Sequence, residues 1–197
     1  MLWRAVVMFV ALTLAVLRGG RLTNLADIRL RLWWLLPLSF VLQLGTRLLP
    51  EEPWAETAGV AMVLTSYGPL IGLVLANRSR KGMWLAGIGV LLNFTVIVLN
   101  GGMPVLAEAA LVASGYSPTP QLAESYKHIA LDASSRLPFL ADVIPVRIVG
   151  QGTVLSLGDV FLAVGLAHFL ESELRRPVRW FKPGVKLSGG SATRSPR

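Results

Sequence analysis

The sequence predicts an all-α membrane protein: a polytopic helical bundle of five transmembrane helices, with an extracytoplasmic re-entrant or lid region between helices four and five. Three observations predict it. Hydrophobic residues make up 53% of the 197 and charged residues only 15%, whereas a water-soluble domain is about 25% charged. Mean hydropathy is +0.59. Apolar runs at residues 2–17, 32–49, 54–76, 83–99 and 153–171 are long enough, or nearly so, to cross a hydrocarbon layer of about 30 Å as helices.

The first run, "MLWRAVVMFVALTLAVL", pairs an early charge with an apolar core, as signal peptides do. It is followed by several arginines and no small-x-small cleavage site, so it is expected to stay as a helix. In "RLTNLADIRLRLWW", Leu22, Leu25, Ile28 and Leu32 recur at helical spacing beside Arg21, Arg29 and Arg31. That pattern predicts a short helix in the headgroup plane, with Trp33 and Trp34 at the interface. The third run contains "TSYGPLIGLVLA", where Pro69 removes a backbone donor and Gly68, Gly72 and Ala76 fall four residues apart. Such a stripe admits a close neighbour, either another helix of this chain or a homo-oligomeric or other partner.

The stretch 100–152 is too long for a structureless connection. It is expected to hold a short helix after Pro104 ending near Gly115, a turn at "YSPTPQ" and an amphipathic helix at "QLAESYKHIALDASSRL". Residues 1–176 then form a single transmembrane domain. Residues 177–197 are small, polar and basic, and are expected to be a disordered cytoplasmic tail.

Charge fixes the expected orientation. With the amino terminus outside, fourteen of the 19 Lys and Arg residues fall on inner segments, while the outer ones carry most of the carboxylates. The formal charge of +8 is thus explained by topology and anionic lipid, and nucleic acid is not required. The absence of cysteine excludes disulfides, thiolate metal sites and a Cys nucleophile.

In that orientation the fourth run travels outward, so Asn100 lies at its outer end and Asn93 about 10 Å deeper. The fifth travels inward and places Ser156 and Asp159 in its first turns, and Gln43 on the second run reaches a similar level. Gln43, Asn93, Asn100, Ser156 and Asp159 thereby share one outer slab of the membrane. A carboxylate there is disfavoured unless it faces the bundle and finds donors or a cation, so the slab is read either as interhelical hydrogen bonding or as a polar pocket for a ligand or ion. Gly101 and Gly102 permit close backbone approach, and Pro104 suits the first turn of a following helix.

Metal chemistry is considered at two places. Glu124, His128 and Asp132 stand at i, i+4 and i+8, and His168 and Glu171 at i, i+3. The first is read as a wet helix face and the second as an inner-interface pair beside Arg175 and Arg176. No metal and no cofactor is expected.

The stretches "LRGGRLTNLADIRLRLWW", "NGGMPV", "YKH", "RLPFLADVIPV" and "LSLGDV" resemble an uncharacterised family of bacterial integral membrane proteins, domain of unknown function 5317. The resemblance covers nearly the whole core without the tail. It implies a multi-pass protein of the bacterial cytoplasmic membrane and implies no activity; the charge count places the carboxyl terminus inside. Asn100, Gly101, Gly102, Met103, Pro104, Lys127, His128, Asp142, Gly158 and Asp159 lie in the matching motifs.

The leading expectation is a pocket that binds, or helps to transport, a small polar or anionic solute. Its candidate residues are Asn93, Asn100, Gly101, Gly102, Lys127, His128, Asp142, Ser156 and Asp159. The alternatives are a membrane-embedded enzyme in which Asp159, Asp142 or His128 moves a proton at the outer surface, and a structural partner subunit. No charge ring or inverted repeat supports a channel or a secondary carrier.

Overall fold

The computed structural model describes residues 9, 12–13, 15–50, 52–114, 127–148 and 151–176. Helix α1 spans Leu35–Gly45 and is extended by a 3-10 turn at Thr46–Leu48. Helix α2, Pro53–Ala76, opens with a proline in its first turn, where the missing N–H has no intrahelical partner to lose. It runs on through Pro69 to Asn77. Helix α3, Met83–Asn100, is bounded by two left-handed glycines, Gly82 at φ +83° and Gly101 at φ +72°. A residue with a Cβ resists that conformation, so these glycines terminate the helix cleanly.

Between α3 and the last helix lie strands. β1 (Met103–Val105) pairs in parallel with β2 (His128–Ala130), and Val105 bridges to Asp142. Helix α4 (Ala107–Ser114) packs over β3 (Ile144–Ile148) and β4 (Gln151–Leu155), which form an antiparallel hairpin. β4 leads directly into α5, Leu157–Leu174, whose N-cap Ser156 accepts the Asp159 N–H through its hydroxyl.

α3 sits between α2 and α5, and α1 packs on α2. The α3–α5 crossing is made by glycines spaced seven residues, two turns, apart on each helix. A Cβ on Gly89 would come within 2.4 Å of the Gly158 carbonyl oxygen, and one on Gly165 within 2.2 Å of the Ala86 nitrogen. Backbones this close leave no room for side chains, which is the small-residue logic expected at Gly68, Gly72 and Ala76 but realised elsewhere. A Cβ on Gly68 would meet nothing within 4 Å, and one on Gly72 would meet only a Leu35 methyl at 3.3 Å.

These features overturn the all-α, five-helix bundle. Among the described residues, two helices, α2 and α3, are long and apolar enough to cross a membrane. The second run yields only the shorter apolar helix Leu35–Leu48. The fifth begins as strand and cap, and its helix carries Asp159, Glu171 and Glu173. The first run falls mostly outside the described residues, as do the turn at 115–120 and the tail at 177–197. Hydrophobic runs count oily residues without distinguishing a helix from a paired strand, and hairpin pairing satisfies the backbone equally well.

Other local expectations also fail. The headgroup-plane helix is a 3-10 turn, Leu22–Leu25, followed by turns, and Leu32 has φ 55°. The amphipathic lid helix is replaced at His128–Ala130 by β2. Pro104 lies in β1, where its carbonyl accepts the Asp142 N–H at 2.9 Å, instead of opening a helix.

Candidate functional site

Beneath the strands, α1, α2, α3 and α5 enclose a half-open cavity of about 410 Å³. That volume lies within the range of about 300–1,000 Å³ usual for small-molecule sites. Its polar lining includes Gln43, Asn93, Lys127, His128, Asp142 and Asp159. They come from five separate segments, so only the folded chain brings them together. The floor is apolar, with Val63 and Ile97 from the buried core.

One wall is a closed ring of hydrogen bonds. The Ser156 hydroxyl donates to Asn93 Oδ1 at 2.8 Å and accepts the Asp159 N–H at 2.9 Å, while the Asn93 amide donates to Asp159 Oδ1 at 3.2 Å. Gly158 makes the ring possible, because a Cβ there would stand 2.0 Å from Asn93 Oδ1. The carboxylate is thus placed at the positive end of α5 and held by an amide, the environment a half-buried anion needs.

The opposite wall is built on the strands. The Met103 N–H donates to the Lys127 carbonyl, and Asp142 exchanges two backbone hydrogen bonds with Pro104 and Leu106. This fixes the buried Asp142 carboxylate with Oδ2 3.8 Å from His128 Nε2. The site therefore presents cationic, anionic and proton-carrying groups on one surface.

The sequence model of a family described as "Family of unknown function (DUF5317)" matches residues 27–170. The chain belongs to the DUF5317 family. An uncharacterized protein of Thermotoga maritima is similar to it, 32% identical over 168 residues that span 83% of this chain and 87% of the relative. No solved structure matches. The DUF5317 match takes in every residue lining the cavity, from Phe40 to Asp159.

Not every residue singled out in this DUF5317 chain reaches the cavity. Asn100 is turned to the chain instead: its amide donates to the Val96 and Arg136 carbonyls, and its Oδ1 accepts the Arg136 N–H at 2.7 Å. It pins the segment before the Pro138–Leu140 turn. Asn100→Ala, removing three hydrogen bonds at a half-buried position, is expected to lower stability by about 1–2 kcal/mol. Thermal denaturation checks this. Gly101 serves as the α3 cap, and Gly102 is buried where a Cβ would meet Ile129. Ser156 acts through Asn93 and Asp159.

Among the described residues the metal-spaced sets do not come together. His128 lies in β2, Asp132 in the turn after it, and Glu124 is outside the described residues. Asp132 accepts hydrogen bonds from the Ser134 and Ser135 hydroxyls and the Ser134 N–H, which hold its carboxyl below the usual range. Glu171 pairs with Arg18 at 2.9 Å and Arg175 at 3.4 Å, while His168 is exposed. Among the described residues no group of three or more such side chains could hold a metal ion. Arg47, Tyr67 and Thr153 also line the cavity and were missed. Arg47 falls four residues after Gln43, a spacing that already placed it on the same helix face.

Proposed function

We propose that this chain is a protein of the bacterial cytoplasmic membrane that binds a small polar or anionic solute in the cavity beneath its strands. α2 and α3 cross the bilayer, with the arginine-rich turns at the cytoplasmic side. Support for the setting comes from the outer surface. Leu36, Phe40, Val41, Trp54, Trp84 and Val164 are all exposed, an apolar display that lipid accommodates and water does not. Arg29 and Arg31 before α1 and Arg78, Arg80 and Lys81 between α2 and α3 lie on two segments joined through Asn77 and Arg80, more than two turns of α3 from Asn93, an arrangement that fits positive-inside placement.

The observation that carries the binding reading is the convergence of Asn93, Lys127, His128, Asp142 and Asp159 on one cavity. Ionisable groups gathered at one level beside apolar helices are rare in membrane proteins and mark a functional site by default. The test is a thermal-stability screen of the purified full chain against inorganic anions, organic acids and polyols. Asp159→Asn keeps the oxygen that accepts from Asn93 and removes the charge. Its stabilisation by the solute found should fall about tenfold or more in apparent affinity. A ligand whose affinity ignores that substitution places the site elsewhere.

The His128–Asp142 pair supports a second reading, an enzyme moving a proton at the cavity wall. Under it, conversion of the bound solute would follow a pH profile that His128→Gln abolishes. Binding without turnover would sink it.

A further inference from the structure

We propose that the occupant of this cavity is an amphiphile: a phosphate-headed lipid whose head also carries hydroxyl or ammonium groups, admitted sideways from the bilayer along α1. The inference rests on the binding reading above and narrows its ligand. Phe40, Gln43, Leu44 and Arg47 all line the cavity and stand at i, i+3, i+4 and i+7, so one face of α1 and its 3-10 extension forms a wall. Phe40 and Leu44 are at the same time 61% and 46% exposed. The rim of a polar chamber is therefore apolar surface, continuous with exposed Leu36, Val41 and Leu48. A hydrophilic solute arriving from water gains nothing from that rim, whereas an acyl chain has a place to lie.

The order of residues along α1 agrees. Over about 10 Å it passes from Phe40, through Gln43 and Leu44, to the exposed Arg47 beside the outer surface. That is the hydrocarbon-to-headgroup order of a lipid lying alongside. Arg47 and Lys127 supply positive charge for the phosphate, and both carboxylates line the same chamber. Asp142 and Asp159 accept hydrogen bonds, so they favour a head with hydroxyl or ammonium donors over a bare phosphate ester. The Gln43 amide donates to Ser66, which leaves its carbonyl oxygen as one more acceptor on the same wall.

The experiment compares dihexanoyl phosphatidylglycerol, below its micelle-forming concentration, with glycerophosphoglycerol, which has the same phosphodiester head without chains. Both are titrated into the detergent-purified full chain, with thermal stability as readout. The lipid is expected to bind at least about tenfold more tightly. Phe40→Ser/Leu44→Ser, at two exposed positions, is expected to weaken the lipid about tenfold more than it weakens glycerophosphoglycerol. Equal affinity for the two ligands would overturn the lipid inference while keeping a polar-solute cavity. Lipid stabilisation that the double variant leaves intact would be a detergent-belt effect and would also overturn it. If neither binds but the solute screen yields a ligand sensitive to Asp159→Asn, only the lipid inference fails. If nothing binds in either experiment, both readings fail.

Discussion

Gly165→Ala is expected to destabilise the protein by about 3 kcal/mol, the upper part of the range for overpacked cores. Its Cβ would be 2.2 Å from the Ala86 nitrogen and 2.8 Å from the Gly82 carbonyl oxygen. Both neighbours are backbone, so no rotamer change relieves the clash and the two helices must part. Gly89→Ala should behave alike, because its Cβ meets the Gly158 carbonyl and the Leu162 nitrogen at 2.4 and 2.6 Å. Gly68→Ala makes the opposite control. That glycine is in a helix interior with open space around it, so alanine should leave stability unchanged or raise it by up to about 1 kcal/mol. Denaturation of the three variants in one detergent decides the matter, and equal effects at Gly165 and Gly68 would mean that α3 and α5 do not touch as described. Separation of these helices also carries Asn93 away from Ser156 and Asp159, so the solute binding proposed for the cavity should fail with Gly165→Ala before unfolding is complete.

That contrast shows what the sequence could and could not reveal. Small residues four apart at 68, 72 and 76 look like a packing stripe, but the glycines that pack are seven apart and on two helices far apart in sequence. Pairing such positions needs knowledge of which helices touch, and periodicity within one run does not contain it. Proximity, by contrast, was partly legible. Gln43, Asn93 and Asp159, grouped from the direction of each run and a rise of about 1.5 Å per residue, all line the cavity, although the five spans that grouping assumed do not form. Asn100 sat at the right level too, yet its amide reads the backbone of Arg136, a choice that only the course of residues 131–140 determines. The strand pair was readable in principle: Ile144, Val146 and Ile148 alternate as β-branched residues, and Thr153 and Val154 follow two glycines in the sequence. Reading every oily stretch as a span concealed it. Asn77 was invisible for another reason. It is 1% exposed and holds the Arg31 N–H and carbonyl at 2.9 and 2.8 Å, a contact between segments 46 residues apart.

Glu173→Ala is expected to lower stability by about 3 kcal/mol, the scale of leaving a mostly buried cation without its partner. The Glu173 side chain is only 3% exposed and receives Arg80 at 3.1 Å and Arg176 at 2.8 Å. Arg80 also donates to the Arg29 carbonyl, so one guanidinium joins the segment before α1, the turn before α3 and the end of α5. The last turn of α5 is tied to the amino-terminal region as well, since Asn24 donates to the Leu174 and Arg176 carbonyls and the Arg21 N–H to Leu174. Those donors satisfy carbonyls that a helix end leaves open, and they hold Glu173 where Arg80 arrives. The neighbouring Glu171→Ala should cost less than about 1 kcal/mol, because its partner Arg18 is mostly in solvent and the pair is screened. A cycle with Arg80→Ala separates the pair from general damage: the double variant should lose clearly less than the sum of the singles, by at least about 1 kcal/mol. Additive losses would mean that Arg80 and Glu173 stabilise the protein independently, and the arginine would then hold the arginine-rich end through the Arg29 carbonyl alone.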